Sequence, residues 1–182
     1  MKENFDANNS ETVYSKESVE KKERAPEFNF ESGVEESINR IVSILEKQPK
    51  VVVAFSGSSS NVGKTTLSKH ISQGLYDRGI QSRSYMGVEE VHDRGPEPGD
   101  SVFIFQQIHL GVVNSSIVDK IKDIYNEDVR DAFKEKGLDI SGIDFWVGIY
   151  RPDKPFASDV IADSNSEPIA DIIIRNDMAE DK

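Results

Sequence analysis

One run carries the most chemistry in its spacing: Gly57-Ser58-Ser59-Ser60-Asn61-Val62-Gly63-Lys64-Thr65-Thr66. A phosphate site needs backbone N–H groups in a concave turn, a cation and, for Mg2+, a hydroxyl. Glycine lets the backbone turn and approach an anion closely. Lys64 offers the cation and Thr65 the metal-binding hydroxyl. A helix that starts here adds N–H groups and the positive end of its dipole. The usual pattern is G-x-x-x-x-G-K-S/T. Here position 58 is Ser58, and Gly57 stands one residue too early. Either Ser58 replaces the first glycine or the turn carries one extra residue. A chance Gly-Lys-Thr in a surface turn is the plain alternative, and the flanking strand and helix argue against it. Lys64, as the first residue of a helix, is expected to face solvent in the empty site.

Other candidates are sparser. The apolar run Val102 to Ile108 ends in Gln106-Gln107-Ile108, where many phosphate-binding proteins carry an acid. Glutamine is a neutral, weak substitute near Mg2+, so it either positions a water or substrate or is simply a polar strand end. Arg151 and Lys154 follow a later strand. Ligands of open parallel sheets bind beyond the carboxyl ends of the strands, which makes Arg151 the best distal cation. A loop ion pair with Asp153 is its structural alternative. His92 and His109 have no metal-pair spacing. Arg130, Lys134 and Lys136 share a helix with acids and read as a solvated face.

Positioning these residues takes a regular frame. Ser32-Gly33-Val34-Glu35 fits a capping box that opens a helix with Val34, Ile38, Ile41, Val42 and Leu45 on one face, ending before Pro49. Val51 to Phe55 is a continuous apolar run, as in a strand buried on both faces. After the loop, Leu67, Ile71 and Leu75 form a helical stripe that ends near Gly79. Ile80 to Met86 is a weakly patterned strand, 87–100 a Gly/Pro/acid-rich loop, and Val102 to Ile108 a third strand. Ile117, Ile121, Ile124, Tyr125, Val129 and Phe133 mark a long helix closed by Gly137. Ile143 to Tyr150 and Ile172 to Ile174 are the last two strands. Strands alternating with helices imply an α/β domain with a parallel sheet.

The chain has 182 residues, no cysteine and a net charge of −11. That length supports one α/β domain, here 31–182, preceded by a tail. Residues 1–30 are charged and poor in aliphatics, and are expected to be a disordered polar tail. Phe28 and Phe30 would be its anchors if it bound a protein partner. The acidic balance argues against nucleic-acid binding. No run is long and apolar enough for a membrane span, and the N-terminal residues lack the pattern of a signal or transit peptide. Without cysteines, disulfides and thiolate metal sites are excluded, and a cytoplasmic location is the simplest expectation.

From Val34 to about Val91 the chain resembles the start of uridine-kinase-like P-loop kinases: a helix, an apolar strand ending in Ser56-Gly57, a phosphate loop, and a second strand closing on an acid. Pro168-Ile169-Ala170-Asp171-Ile172-Ile173-Ile174-Arg175-Asn176-Asp177 resembles the last core strand of small-molecule kinases. The spacing from Gly57 to Thr65, with Val62 before Gly63, is instead similar to dethiobiotin-synthetase-like and cobyrinate-synthase-like ATPases. Either resemblance implies a P-loop three-layer sandwich binding ATP with Mg2+, Thr65 being the metal residue. It also implies about five mainly parallel strands in the order 2-3-1-4-5, after an N-terminal helix. By the kinase resemblance, Glu89 stands near the acid that handles the substrate hydroxyl. The bland reading of Glu89, with Glu90 and Asp93, is a solvated acidic loop. Asn176 would border the nucleotide, on resemblance alone.

Three readings follow. The first is a kinase passing the γ-phosphoryl of ATP to a small hydroxylated metabolite such as a nucleoside, with Glu89 orienting the hydroxyl and Arg151 stabilising charge. The second is a non-catalytic nucleotide-binding protein, since a third-strand acid and an Arg-rich lid are missing. The third is an ATP-dependent synthase of the dethiobiotin-synthetase-like type. A switch GTPase would carry N-K-x-D, which is absent. Asp139-Ile140-Ser141-Gly142 has a D-x-x-G spacing, but it follows a helix. A transporter-type ATPase would need a signature loop and the missing acid.

Overall fold

The computed structural model describes residues 25–56, 61–106, 118–153 and 170–178. In chain order its elements are β1 (Glu27–Asn29), α1 (Phe30–Leu45), β2 (Val51–Ser56), α2 (Lys64–Tyr76), β3 (Ser82–Tyr85), α3 (Glu89–Asp93), β4 (Val102–Phe105), α4 (Val118–Glu135), β5 (Phe145–Tyr150) and β6 (Ile172–Arg175). Six strands form one sheet in the order β1-β6-β5-β2-β4-β3. Every adjacent pair is parallel. The five strands read from the sequence therefore stand in the order 2-3-1-4-5, with β1 as a sixth at the edge beside β6.

β2 is central and buried along its whole length. Val51, Val53 and Phe55 face one core with Ile38 and Ile41 of α1 and Leu67, Ile71 and Leu75 of α2. Val52 and Ala54 face a second core with Val129 and Phe133 of α4 and Trp146 of β5. Helices thus cover both faces, which is why β2 is an unbroken apolar run. Carboxylates satisfy backbone groups at strand entries: the Val52 N–H donates to Asp144 Oδ2 and the Trp146 N–H to Asp171 Oδ2, each at 2.8 Å.

Several expectations need correction. Order begins ahead of residue 31, because Phe28 packs against the first core and Phe30 is buried in it, meeting the His70 ring edge-on at 5.3 Å. Phe30 thus belongs to the chain's own core, and Phe28 is half-buried against it. The helix cap is correspondingly earlier: the Asn29 side chain accepts the Ser32 N–H at 2.9 Å, a task the sequence reading gave to Ser32. The acid-rich loop after β3 holds the short helix α3. Ile124, counted into the apolar stripe of α4, is exposed. Among the described residues, no helix is long and apolar enough to cross a membrane.

Candidate phosphate site

Because the sheet is parallel, the carboxyl ends of its strands share one edge. That edge carries Ser56, Met86, Gln106, Arg151 and Asn176 as the final residue of a strand or the one after it. The sequence candidates therefore converge on one side of the molecule. Gly57, Ser58, Ser59 and Ser60 lie outside the described residues. The loop re-enters at Asn61, which is exposed with a left-handed φ of 64°. Val62 is fully buried in the first core and pins the loop to it.

Gly63 launches α2 from a left-handed conformation, φ 101° and ψ 17°. Only glycine adopts that at no steric cost. There is also no room for more: a Cβ at Gly63 would lie 2.4 Å from Asn176 Nδ2. That amide donates to the Val62 carbonyl at 3.0 Å, and the Asn176 N–H donates to the Tyr150 carbonyl at 2.8 Å. Asn176, assigned to the nucleotide by resemblance, here ties the loop backbone to the end of the sheet.

Lys64 is buried, at 8% exposure, so the expectation of a solvent-facing ammonium does not hold. Burial lowers its pKa, since desolvation disfavours the charged form. A buried cation at a helix start favours a nearby anion. Thr66 is exposed, as is Thr65, whose Oγ1 donates to Gln106 Oε1 at 3.1 Å. Gln106 is buried at 8% exposure, and its N–H donates to the Tyr85 carbonyl at 2.9 Å. One turn further along α2, Ser68 and Ser84 hydroxyls meet at 2.7 Å, joining α2 to β3.

The outer candidates differ in engagement. Glu89 is exposed at the start of α3. Glu90 accepts the Met86 N–H at 2.9 Å and Arg94 Nη2 at 2.8 Å. These bonds, the backbone one first, lower its pKa. Arg151 faces Asp153 with two bonds, Nε to Oδ1 at 2.9 Å and Nη2 to Oδ2 at 3.1 Å, the loop ion pair named as its alternative. His92 Nδ1 lies 2.9 Å from Glu135, joining α3 to α4. Among the described residues, no group of three or more His, Asp or Glu is placed to hold a metal ion.

The contact between Thr65 and Gln106 is the feature that sequence spacing did not assign. Its signal was an apolar strand closing on a polar side chain, which does not specify a partner on another element. No protein-family model matches the chain, and comparison with curated proteins and with solved structures returns no match.

Proposed function

We propose that the chain binds a nucleoside triphosphate, taken as ATP with Mg2+, at residues 57–66 and transfers its γ-phosphoryl group to a small hydroxylated metabolite such as a nucleoside. One observation carries this reading. At the carboxyl edge of a parallel sheet, a left-handed glycine opens a helix whose first two residues are a buried lysine and a threonine bonded to the end of the neighbouring strand. That combination suits polyphosphate: dipole, N–H groups and a desolvated cation act together.

The residues present fit the ligands the reading requires. Thr65 Oγ1 and Gln106 Oε1 are the oxygens that would hold Mg2+, alone or through water, with phosphate oxygens completing its shell. Bound Mg2+ would neutralise phosphate charge during transfer. Lys64 would bind the terminal phosphates, and its own charge is better tolerated once they are bound. Glu89, exposed and just past β3, would orient the acceptor hydroxyl and take its proton. Arg151 serves as a second cation only after leaving Asp153, so Lys64 carries most of the charge stabilisation.

A second reading is nucleotide binding without turnover. The neutral Gln106 at the usual place of a strand-end acid and the Asp153-bound Arg151 both favour it. ADP release, measured while nucleosides and small alcohols are screened, separates the two. Stimulated release by the wild type and not by Lys64→Ala supports the kinase. Absence of stimulation across the screen, with ATP bound, supports the binding protein.

A further inference from the structure

Among the described residues, one buried side-chain polar atom has no hydrogen-bond partner, the hydroxyl of Tyr85. The side chain is fully buried, at 0% exposure. Buried polar groups are nearly always satisfied, so this hydroxyl calls for a partner that the described residues do not supply. A neutral phenol can both donate and accept. Tyr85 closes β3 at the carboxyl edge of the sheet. Its carbonyl accepts the N–H of Gln106, the residue that Thr65 reaches from α2. The phenol thus stands on the strand next to the phosphate site, and Glu89 follows it at the start of α3.

Two flat groups cover the ring. Phe105 stacks on it with centroids 5.4 Å apart and 23° between the planes. The Arg94 guanidinium lies over it, with Cζ 5.7 Å from the centroid. Phe105 is fixed in the core, whereas Arg94 ends α3 and is largely exposed. Its bonds to the Ser84 carbonyl at 2.9 Å and to Glu90 at 2.8 Å are exposed as well. So are the ties of α3 to α4, from His92 to Glu135 and from Lys136 to the His92 carbonyl. Exposed ion pairs add little. Within α3, five residues long, Val91 is the buried side chain. A segment with so few buried contacts opens at small cost. Its opening takes Arg94 away and presents an aromatic face with an unused hydroxyl, beside Glu89.

We infer that Tyr85 is a binding residue for the phosphoryl acceptor, and that the acceptor carries a flat heteroaromatic ring, which replaces Arg94 over the phenol while a polar atom of the ligand takes the phenolic hydroxyl. This rests on the phosphate-transfer reading above and narrows it: among small hydroxylated compounds it selects nucleosides over free sugars and aliphatic alcohols. Stacking supplies the affinity and the hydroxyl adds orientation.

The test uses the full chain with Mg2+. ADP is titrated first by calorimetry, and each protein is then held at saturating ADP while uridine, adenosine and ribose are titrated. At least one of the two nucleosides is expected to bind saturably, at least about tenfold tighter than ribose. Tyr85→Phe is expected to weaken that nucleoside about three- to tenfold, with a urea midpoint no lower than the wild type's. Arg94→Ala removes the displaced group and is expected to bind the nucleoside at least as tightly as the wild type. Nucleosides that bind no better than ribose, with ADP bound, overturn the inference and leave the phosphate site standing. A Tyr85→Phe protein with wild-type nucleoside affinity does the same, as does an Arg94→Ala protein that binds the nucleoside more weakly. No ADP binding by the wild type overturns the inference together with the site.

Discussion

Gly63→Ala isolates the geometry on which the loop depends. The substitution acts twice. First, it forces a residue with a Cβ into φ 101°, which costs about 1–2 kcal/mol. Second, the new Cβ falls 2.4 Å from Asn176 Nδ2, so the asparagine must move. Moving it breaks the buried bond to the Val62 carbonyl, and leaving buried partners unsatisfied costs about 1–3 kcal/mol. Together the loss is about 2–5 kcal/mol, a large part of the stability of an ordinary domain. Urea unfolding followed by circular dichroism measures it. With a slope of about 1–3 kcal/mol/M, the midpoint should fall by at least about 0.7 M. The two terms separate in a double-mutant cycle with Asn176→Ala, because removing the amide removes the clash. The combined substitution should then cost less than the sum of the singles by about 1 kcal/mol or more. A Gly63→Ala protein within about 0.5 kcal/mol of the wild type would refute this account of the loop, as would strict additivity.

Three further substitutions address separate links. Tyr85 is buried with a hydroxyl that has no hydrogen-bond partner among the described residues, so Tyr85→Phe should stabilise the fold by about 1–3 kcal/mol in urea titrations. Burial raises the Tyr85 pKa from 10.0 to about 12. Its contribution is therefore intact below pH 10 and is lost as pH rises from about 10 to 12, a decline that Tyr85→Phe should lessen in unfolding curves across that range. Glu89→Gln should leave ATP affinity nearly unchanged but slow turnover about 100-fold, measured as ADP release with a stimulating acceptor; equal rates would remove Glu89 from the proposed chemistry. Glu90→Gln should instead lower stability, because the carboxylate bonded to the Met86 N–H and Arg94 has a lowered pKa. That contribution is present above the ordinary glutamate pKa and is lost as pH falls through the lowered one, so urea midpoints of the two proteins should converge in acid.

Much of the frame was readable from pattern. Val51 to Phe55 is apolar at every position because it is the central strand, and a strand covered on both faces leaves no polar alternation to misread. The edges were less legible. β1 spans three residues with an exposed–intermediate–exposed pattern, and its partner β6 lies more than 140 positions along the chain, so nothing local announces it. Ile124 fitted a helical stripe by spacing, but a stripe does not say where a facing core stops. Within the site, the glycine–lysine–threonine order identified the turn and the helix start. It could not show that Lys64 is buried, that Asn176 lies against Gly63, or that Thr65 reaches Gln106, because each depends on strands far apart in sequence lying side by side.

The central claim is that residues 57–66 form a polyphosphate site with Lys64 as its cation. Calorimetric titration of MgATP into the wild type and Lys64→Ala proteins tests it most directly. Each charge-assisted contact to phosphate contributes about 1.5–3 kcal/mol, so the substitution should weaken binding about ten- to a hundredfold. Matching circular dichroism spectra of the two ligand-free proteins separate loss of the phosphate contact from loss of the fold. Saturable wild-type binding, lost on substitution in a protein that stays folded, is the predicted result. Equal affinities in the two proteins, or no MgATP binding by the wild type, would contradict the account.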